Sequence, residues 1–423
     1  MSLAGIKALH ARGETVWLRL PVFGRFLAAV GPHVAREVLT MPQTIAYVGS
    51  ERMAEFFGPS TIGGKTGNEH RRIRALSAKA VSKSALKFYF DDIKQLAIET
   101  MQIIASQSSP AGIYQLEYFQ KFVYNSICSF MVASTTVHGQ QIKDLRHHYH
   151  NFAASVMVFP FPRWIVSRTV KKGLDSKKVI VDTITRIVRE RRAAIEAGEI
   201  HNDALSAFID STDADGNSLT DKEIADLFLV MLMAGFETTA KQLTTLFYHL
   251  THCLAHEDFL RLQQEVSQPN ALDSEQSLSS LPILDAFVKE SMRLLPVGRN
   301  FYLITIADAT LQGKTVKKGT VIFPFIDYST FNVDDEPSAF KLSRFLGENA
   351  FDKTNPTQYT PFGYGPRQCL GLHLARMEMK VLLAVAISSY NIVKVGHKAR
   401  ISHFPSQYAQ CKVTIDKKTE TPK

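Results

Sequence analysis

Residues 362–371 read Phe362-Gly363-Tyr364-Gly365-Pro366-Arg367-Gln368-Cys369-Leu370-Gly371: three glycines and an arginine around one cysteine, followed by an apolar helix-forming run from about Leu372 to Tyr390. Glycines supply backbone conformations that other residues reach only with strain. A cysteine just ahead of a helix sits where the helix dipole favours an anion. The other cysteines, Cys128, Cys253 and Cys411, are scattered without a C-x-x-C pair, so neither a disulfide framework nor a four-sulfur zinc site is indicated. A reducing compartment is expected, and Cys369 has to act alone.

Three further stretches upstream carry charge in unusual settings. The run IADLFLVMLMAGFETTA, residues 224–240, is apolar nearly all round and predicts a buried helix. Within it, Ala234-Gly235-Phe236-Glu237-Thr238-Thr239 sets a carboxylate where burial is costly without a partner or a role. Glu290-x-x-Arg293 places opposite charges on one helix face, and Arg344 follows in AFKLSRFLGEN. In GNEHRRIRAL, His70-x-x-x-Arg74 puts a histidine and an arginine on one face of a helix.

In this order, the motifs make the chain resemble the cytochrome P450 (heme-thiolate monooxygenase) family. Its heme-binding loop has the pattern F-G-x-G-x-R-x-C-x-G, every fixed position is matched here, and Ala375 and Glu378 fit the continuation. The resemblance implies the P450 fold: mainly α with small β-sheets (α+β), a helix-rich part plus a smaller β-rich region, and heme between the central buried helix and the cysteine loop. It implies heme b (iron protoporphyrin IX), held non-covalently because no C-x-x-C-H occurs, with the Cys369 thiolate as axial iron ligand. Phe362, Gly363, Gly365 and Gly371 would shape the loop, the glycines taking unusual backbone angles so that N–H groups point at the sulfur. Arg367, His70 and Arg74 would meet the heme propionates. The family usually adds an arginine in the strand after E-x-x-R; Leu303 stands near that place here, with Arg299 the nearest candidate.

On the opposite side of the heme, the resemblance assigns Ala234 and Gly235 to the cofactor wall, Gly235 leaving room for dioxygen. Thr238 would hold the oxygen-side hydrogen bond, and Glu237 would feed the protons that O–O cleavage needs. Glu290, Arg293 and Arg344 would form the ion network that steadies the heme-binding region. His373 is expected to face solvent.

The implied activity is insertion of one oxygen atom from O2 into a lipophilic substrate such as a sterol, terpenoid or fatty acid. Electrons would come from NAD(P)H indirectly, through an external reductase or ferredoxin, since no flavin or iron–sulfur domain is appended. Arg71, Arg72 and Lys79 would offer that donor a basic docking surface. Substrate-facing segments are expected around Thr44 to Phe57, Phe152 to Trp164, the helix before Thr238, Val297 to Phe301, and Phe404-Pro405; their aliphatic and aromatic content suits a lipophilic molecule. Two alternatives keep the cysteine loop: a heme-thiolate isomerase or dehydratase that needs no external electrons, and a non-catalytic heme sensor. The intact Glu237-Thr238 pair speaks against both.

The wider chain agrees with one catalytic domain over residues 1–423: a β-rich part at about 14–50, a helical core at about 66–295, and a β-rich and heme-loop part at about 296–423. Alternation in TVWLRLPVFGRFLAAVG, residues 15–31, predicts a strand, turn and strand, and FYLITIADATLQGKTVKKGTVIFPF, residues 301–325, a second strand cluster turning at Gly313 and Gly319. Thr220 with Glu223 reads as a capping box. The preceding polar loop superficially resembles a calcium loop, but Ser211 and Lys222 would stand at its first and twelfth positions, so an EF-hand is rejected.

With 423 residues, 45% hydrophobic and 21% charged, the composition is that of an ordered globular protein. The net charge of +9 raises nucleic acid, but no binding motif accompanies it, so no nucleic-acid partner is expected. The densest basic stretch, Arg163 to Arg192, has ten Lys/Arg against three Asp/Glu, interleaved with Ile180, Ile184, Ile187 and Val188 at helical spacing. It predicts an amphipathic helix with a solvated basic face. No signal peptide or transmembrane segment is legible, so a cytoplasmic location or peripheral membrane contact is expected, as is a monomer.

Overall fold

The structure, a computed structural model, describes residues 8–9, 11, 14–20, 24–41, 45–47, 55–132, 137–157, 163–298, 303–325, 336–402 and 406–418. The alternating segments near the N-terminus form β1 (Thr15–Leu20) and β2 (Gly24–Val30), paired antiparallel. They join a five-stranded sheet with β3 (Ile45–Tyr47), β4 (Leu303–Thr305) and β7 (Val321–Phe325), in the order β1-β2-β7-β4-β3. β2 runs parallel to β7, so the sheet joins the N-terminal strands to residues 321–325. β5 (Ala309–Leu311) and β6 (Lys314–Val316) make a separate hairpin around Gly313, which has φ +71°. The tail is a second hairpin, β8 (Tyr390–Ser402) and β9 (Tyr408–Lys417).

Helices make up the rest, and the longer ones are numbered in chain order. They are α1 (Pro32–Leu39), α2 (Gly67–Ala78), α3 (Phe90–Gln107), α4 (Leu116–Met131), α5 (Val137–Asp144), α6 (Arg146–Met157), α7 (Arg163–Glu196), α8 (Asp221–His252), α9 (His256–Val266), α10 (Pro282–Leu294) and α11 (Leu372–Ser389). α8 runs through the main core and packs on α4, α7, α10, α11 and β9, which is why its apolar residues occur on nearly every face. It opens with the capping box: the Thr220 hydroxyl accepts from the Glu223 N–H, and the Glu223 carboxylate accepts from the Thr220 N–H. The fold is mainly α with small β-sheets.

α7 buries Ile180, Ile184, Ile187 and Val188 as their spacing predicts. Its polar side departs from a solvated basic face at one position. Arg191 is buried and donates to both oxygens of buried Asp203 at 2.7 Å and to Ser206 Oγ at 2.8 Å. Asp203 in turn caps the Ala204–Ile209 turn through the Ser206 N–H, so this arginine docks the next segment.

Candidate functional site

The cysteine loop is held by short backbone bonds rather than by a regular element. The Gly363 N–H donates to Thr360 O at 2.9 Å, Gln368 N–H to Gly365 O at 3.0 Å, and Cys369 N–H to Phe362 O at 2.8 Å, folding the stretch back on itself. Gly363 and Gly365 have φ +77° and +69°, the left-handed region that glycine enters without strain. At Gly365 a Cβ would lie 3.1 Å from Leu39 O, so the loop also rests closely on the end of α1. Gly371 departs from the expectation: its φ of −87° is ordinary, and it serves as the N-cap of α11. A Cβ there would meet nothing within 4 Å. The Phe362 side chain packs half-buried against the main core.

Cys369 itself is exposed, while the protein around it is dense enough that burial is the largest influence on its thiol and pushes the pKa above its ordinary value. The Gly371 backbone N–H, bonded to the sulfur, and the positive charge of Arg74 act in the opposite direction. The sulfur is thus accessible but closely surrounded by protein. On balance the surroundings disfavour the thiolate, and an added cation would be needed to favour it.

Upstream of the loop in sequence lies a buried ion network. Glu290 and Arg293, both fully buried, meet through two parallel bonds, Nε to Oε2 at 2.7 Å and Nη2 to Oε1 at 2.9 Å. Arg344 Nη1 also donates to Glu290 Oε1, and the Lys341 N–H adds a bond at 2.9 Å. The arginines spend their remaining donors on backbone: Arg293 on Pro337 O and Ala339 O, Arg344 on Ala339 O and Glu336 O. Residues 336–344 are thereby fastened to α10. Tyr359 continues the fastening, its ring against Phe345 and its hydroxyl donating to Lys289 O at 3.0 Å, three residues before the loop begins.

His70, Arg74 and Arg367 gather at one place. His70 is 2% exposed, and its Nδ1 is buried with no hydrogen-bond partner. Burial first, then the charges of Arg367 and Arg74, lower its pKa to about 4, so it is neutral at pH 7. Arg367 donates to Ile62 O at 3.2 Å and to Lys65 O at 2.5 Å, tying the cysteine loop to the bend that leads into α2. Arg299, named for the same surroundings, lies outside the described residues, as do parts of the expected substrate-facing segments: 44, 48–54, 158–162, 299–301 and 404–405.

On α8, Ala234 and Thr238 are exposed in the middle of an otherwise buried helix, one turn apart on one face, with Val230 and Met231 half-exposed beside them. Phe236 faces the other way, its ring packed edge-on against Tyr149 and Tyr124. The Thr238 hydroxyl donates back to Ala234 O at 2.6 Å. Gly235 does not border open space: a Cβ there would stand 2.6 Å from Ile127 Cδ1, so its missing side chain makes room for α4 rather than for dioxygen. Glu237 turns sideways, accepting from Gln120 Nε2 at 3.0 Å and pairing with Lys241 Nζ at 2.6 Å.

One neighbour of these motifs takes another role than expected. Arg72 is not a free docking cation: it donates to Asp213, Glu223 and Ser218 O and binds α2 to the start of α8, and those hydrogen bonds raise its pKa. Arg71 reaches Asn68, and Lys79 is exposed. His373 is exposed. Glu378, fully within the core on α11, is pushed up to about 8 by burial and is protonated at neutral pH, with Ser126 of α4 lowering it slightly.

Among the described residues, no group of three or more His, Cys, Asp and Glu side chains is placed to hold a metal ion by itself. The features present instead fit a flat, anionic, iron-bearing ring: one accessible sulfur, an exposed helix face, and a buried imidazole with an unpartnered Nδ1 beside two arginines. The family model for cytochrome P450 matches residues 27–412. The chain belongs to the cytochrome P450 family. Heme held through a cysteine thiolate is what that family implies. This P450 is 28% identical over 345 residues to mouse cytochrome P450 26B1, covering 78% of the present chain and 65% of that protein. To taxane 13-alpha-hydroxylase of Taxus cuspidata it is 27% identical over 353 residues, covering 81% and 70%. The chain thus spans a little under two-thirds of the mouse relative's length. A cyanobacterial CYP120A1 with retinoic acid bound superposes with a TM-score of 0.83 at 20% identity, covering 98% of this P450 and 94% of that chain. No helix among the described residues is long and apolar enough to cross a membrane.

Sequence reasoning did not name Gln120, Lys241, or the Ile62 and Lys65 carbonyls. The i, i+4 spacing of Glu237 and Lys241 was a readable signal for one of them. The others are contacts between distant segments. Because the P450's Arg367 bridges loop and α2, Arg367→Leu should remove about 2 kcal/mol of charge-assisted hydrogen bonding. It should speed heme loss to an acceptor apoprotein by roughly thirtyfold. Unchanged heme transfer would show that Arg367 does not hold the site.

Proposed function

We propose that this P450 is a monooxygenase that binds heme b between the cysteine loop and the Ala234–Thr238 face of α8. It would take electrons from NAD(P)H through a separate donor protein and insert one oxygen atom from O2 into a lipophilic substrate. The observation that carries the reading is the pairing of an accessible, N–H-supported Cys369 sulfur with an exposed Thr238 hydroxyl on a buried helix. Cys369 would ligate the iron, His70, Arg74 and Arg367 would hold the propionates, and Ala234 would wall the opposite face. Heme supplies activation of dioxygen when bound.

This chain's part is to bind, orient and supply protons. The Thr238 Oγ1 proton is spent on Ala234 O at rest, so rotation about χ1 would free it for a partner in the cleft. Glu237, one residue earlier, would restore the proton through a water reaching either oxygen. Val230, Met231 and Ala234 give the cleft an apolar wall, suited to a lipophilic molecule. The taxane hydroxylase and the retinoic-acid-bound structure among the similar proteins support that class.

Reconstitution with a reductase or ferredoxin tests the reading: substrate-dependent NAD(P)H consumption should accompany incorporation of one atom of isotopically labelled O2 into product. Product without electron input would favour an isomerase or dehydratase, and heme binding without any product a sensor. Thr238→Ala should leave stability nearly unchanged, since a threonine bonded back to its own helix contributes little. Product formed per NAD(P)H consumed should fall at least about tenfold, within the contribution of a positioned proton donor. Unaltered coupling in that variant would remove Thr238 from the relay.

A further inference from the structure

Glu237 is fixed from two sides by groups that the relay does not otherwise use. Its Oε1 accepts from Gln120 of α4, and its Oε2 lies 2.6 Å from Lys241 Nζ. Lys241 is 8% exposed, a depth at which an ammonium needs firm partners. Its second partner is Ser406 Oγ, 2.9 Å from the same nitrogen, and the Tyr408 ring lies 5.6 Å away. The segment that carries Ser406 is itself anchored, by Gln407 N–H on Val297 O at 3.2 Å and by Ala409 N–H on Thr245 Oγ1 at 3.1 Å. The ammonium therefore stands between the Glu237 carboxylate on one side and the Ser406 hydroxyl on the other.

We propose that Lys241 is a positioning residue for proton delivery: it holds the Glu237 carboxylate at the edge of the open α8 face and retains its own place through Ser406 when the carboxylate turns toward Thr238. The inference rests on the monooxygenase reading and on Glu237 acting as the proton source. A carboxylate held by Gln120 alone has many orientations, and only a few point along α8 toward the exposed hydroxyl. With Lys241 present, Glu237 moves between two defined positions, and Lys241 keeps a partner in both. The arrangement also joins the acid to the chain on either side of Val297 and Ser406, which leads into two of the segments expected to face substrate.

The test compares holo Lys241→Met, Lys241→Arg and Glu237→Gln with the wild type, reading the ferrous carbon monoxide spectrum, product per NAD(P)H, and the solvent deuterium isotope effect on product formation. Lys241→Met is expected to keep the thiolate-type band, lose about tenfold in product per NAD(P)H, and show a larger solvent isotope effect. Lys241→Arg should restore most of the coupling. A methionine variant with wild-type coupling and isotope effect would overturn the proposal, and so would one that loses the thiolate-type band, because the role would then be structural. Glu237→Gln separates the two levels. If it couples like the wild type, the proton-source reading fails and the Lys241 proposal with it; if it uncouples while Lys241→Met does not, the Lys241 proposal alone fails.

Discussion

Cys369→Ala is expected to abolish the thiolate-type ferrous carbon monoxide band and reduce turnover to background, while the apoprotein keeps its fold. The sulfur is exposed, so its loss leaves no core cavity. The bonds that shape the loop, Cys369 N–H to Phe362 O and Gly363 N–H to Thr360 O, are backbone bonds that alanine retains. The other three cysteines are poorly suited to substitute, burial raising the thiol pKa of each. Cys128 and Cys411 are buried, and burial pushes the Cys128 thiol up to about 12, far from the thiolate an iron requires. Far-ultraviolet circular dichroism with the reduced carbon monoxide spectrum checks both halves of the prediction. A thiolate-type band that survives the substitution would move the axial ligand elsewhere.

Arg293→Ala should have the largest effect on stability of any single change in the network, about 3–5 kcal/mol. The variant leaves the Glu290 carboxylate fully buried with Arg344 and one backbone N–H as its remaining partners, and frees Pro337 O from its bond. Against a typical total of about 5–15 kcal/mol, the loss is large enough that little folded, heme-loaded protein should accumulate. Arg293→Lys should recover only part of it, because an ammonium cannot reproduce the two parallel bonds to Glu290. Denaturant unfolding and heme content per chain measure the effect. A variant within about 1 kcal/mol of the wild type would show that the network does not carry the residues leading to the cysteine loop.

Much of this molecule was legible in local patterns. The 224–240 run is apolar on nearly every face because α8 is covered along most of its surface, the Thr220 capping box lies within one turn, and β5 and β9 alternate because one face of each is buried. The partners of Glu290 were less fully legible. Arg293 lies one turn away, but the bonds from the arginines to Glu336, Pro337 and Ala339 join segments 44–46 residues apart for Arg293 and 5–8 for Arg344, where no periodicity announces them. Arg72 shows the converse. A basic cluster on a helix looks like a docking surface until folding brings Asp213 and Glu223 to it, 141 and 151 residues along the chain.

The sequence alone determined the family resemblance, the identity of the lone thiol, the buried central helix and the acid–alcohol pair on it. These are properties of residue type and short spacing, which survive any arrangement of the rest. Tertiary structure decided orientation. It turned Gly235 toward Ile127 and gave Glu237 to Gln120 and Lys241, and it left Ala234 and Thr238 exposed. Which face of a helix is covered depends on the elements packed against it, and those arrive from positions more than a hundred residues away.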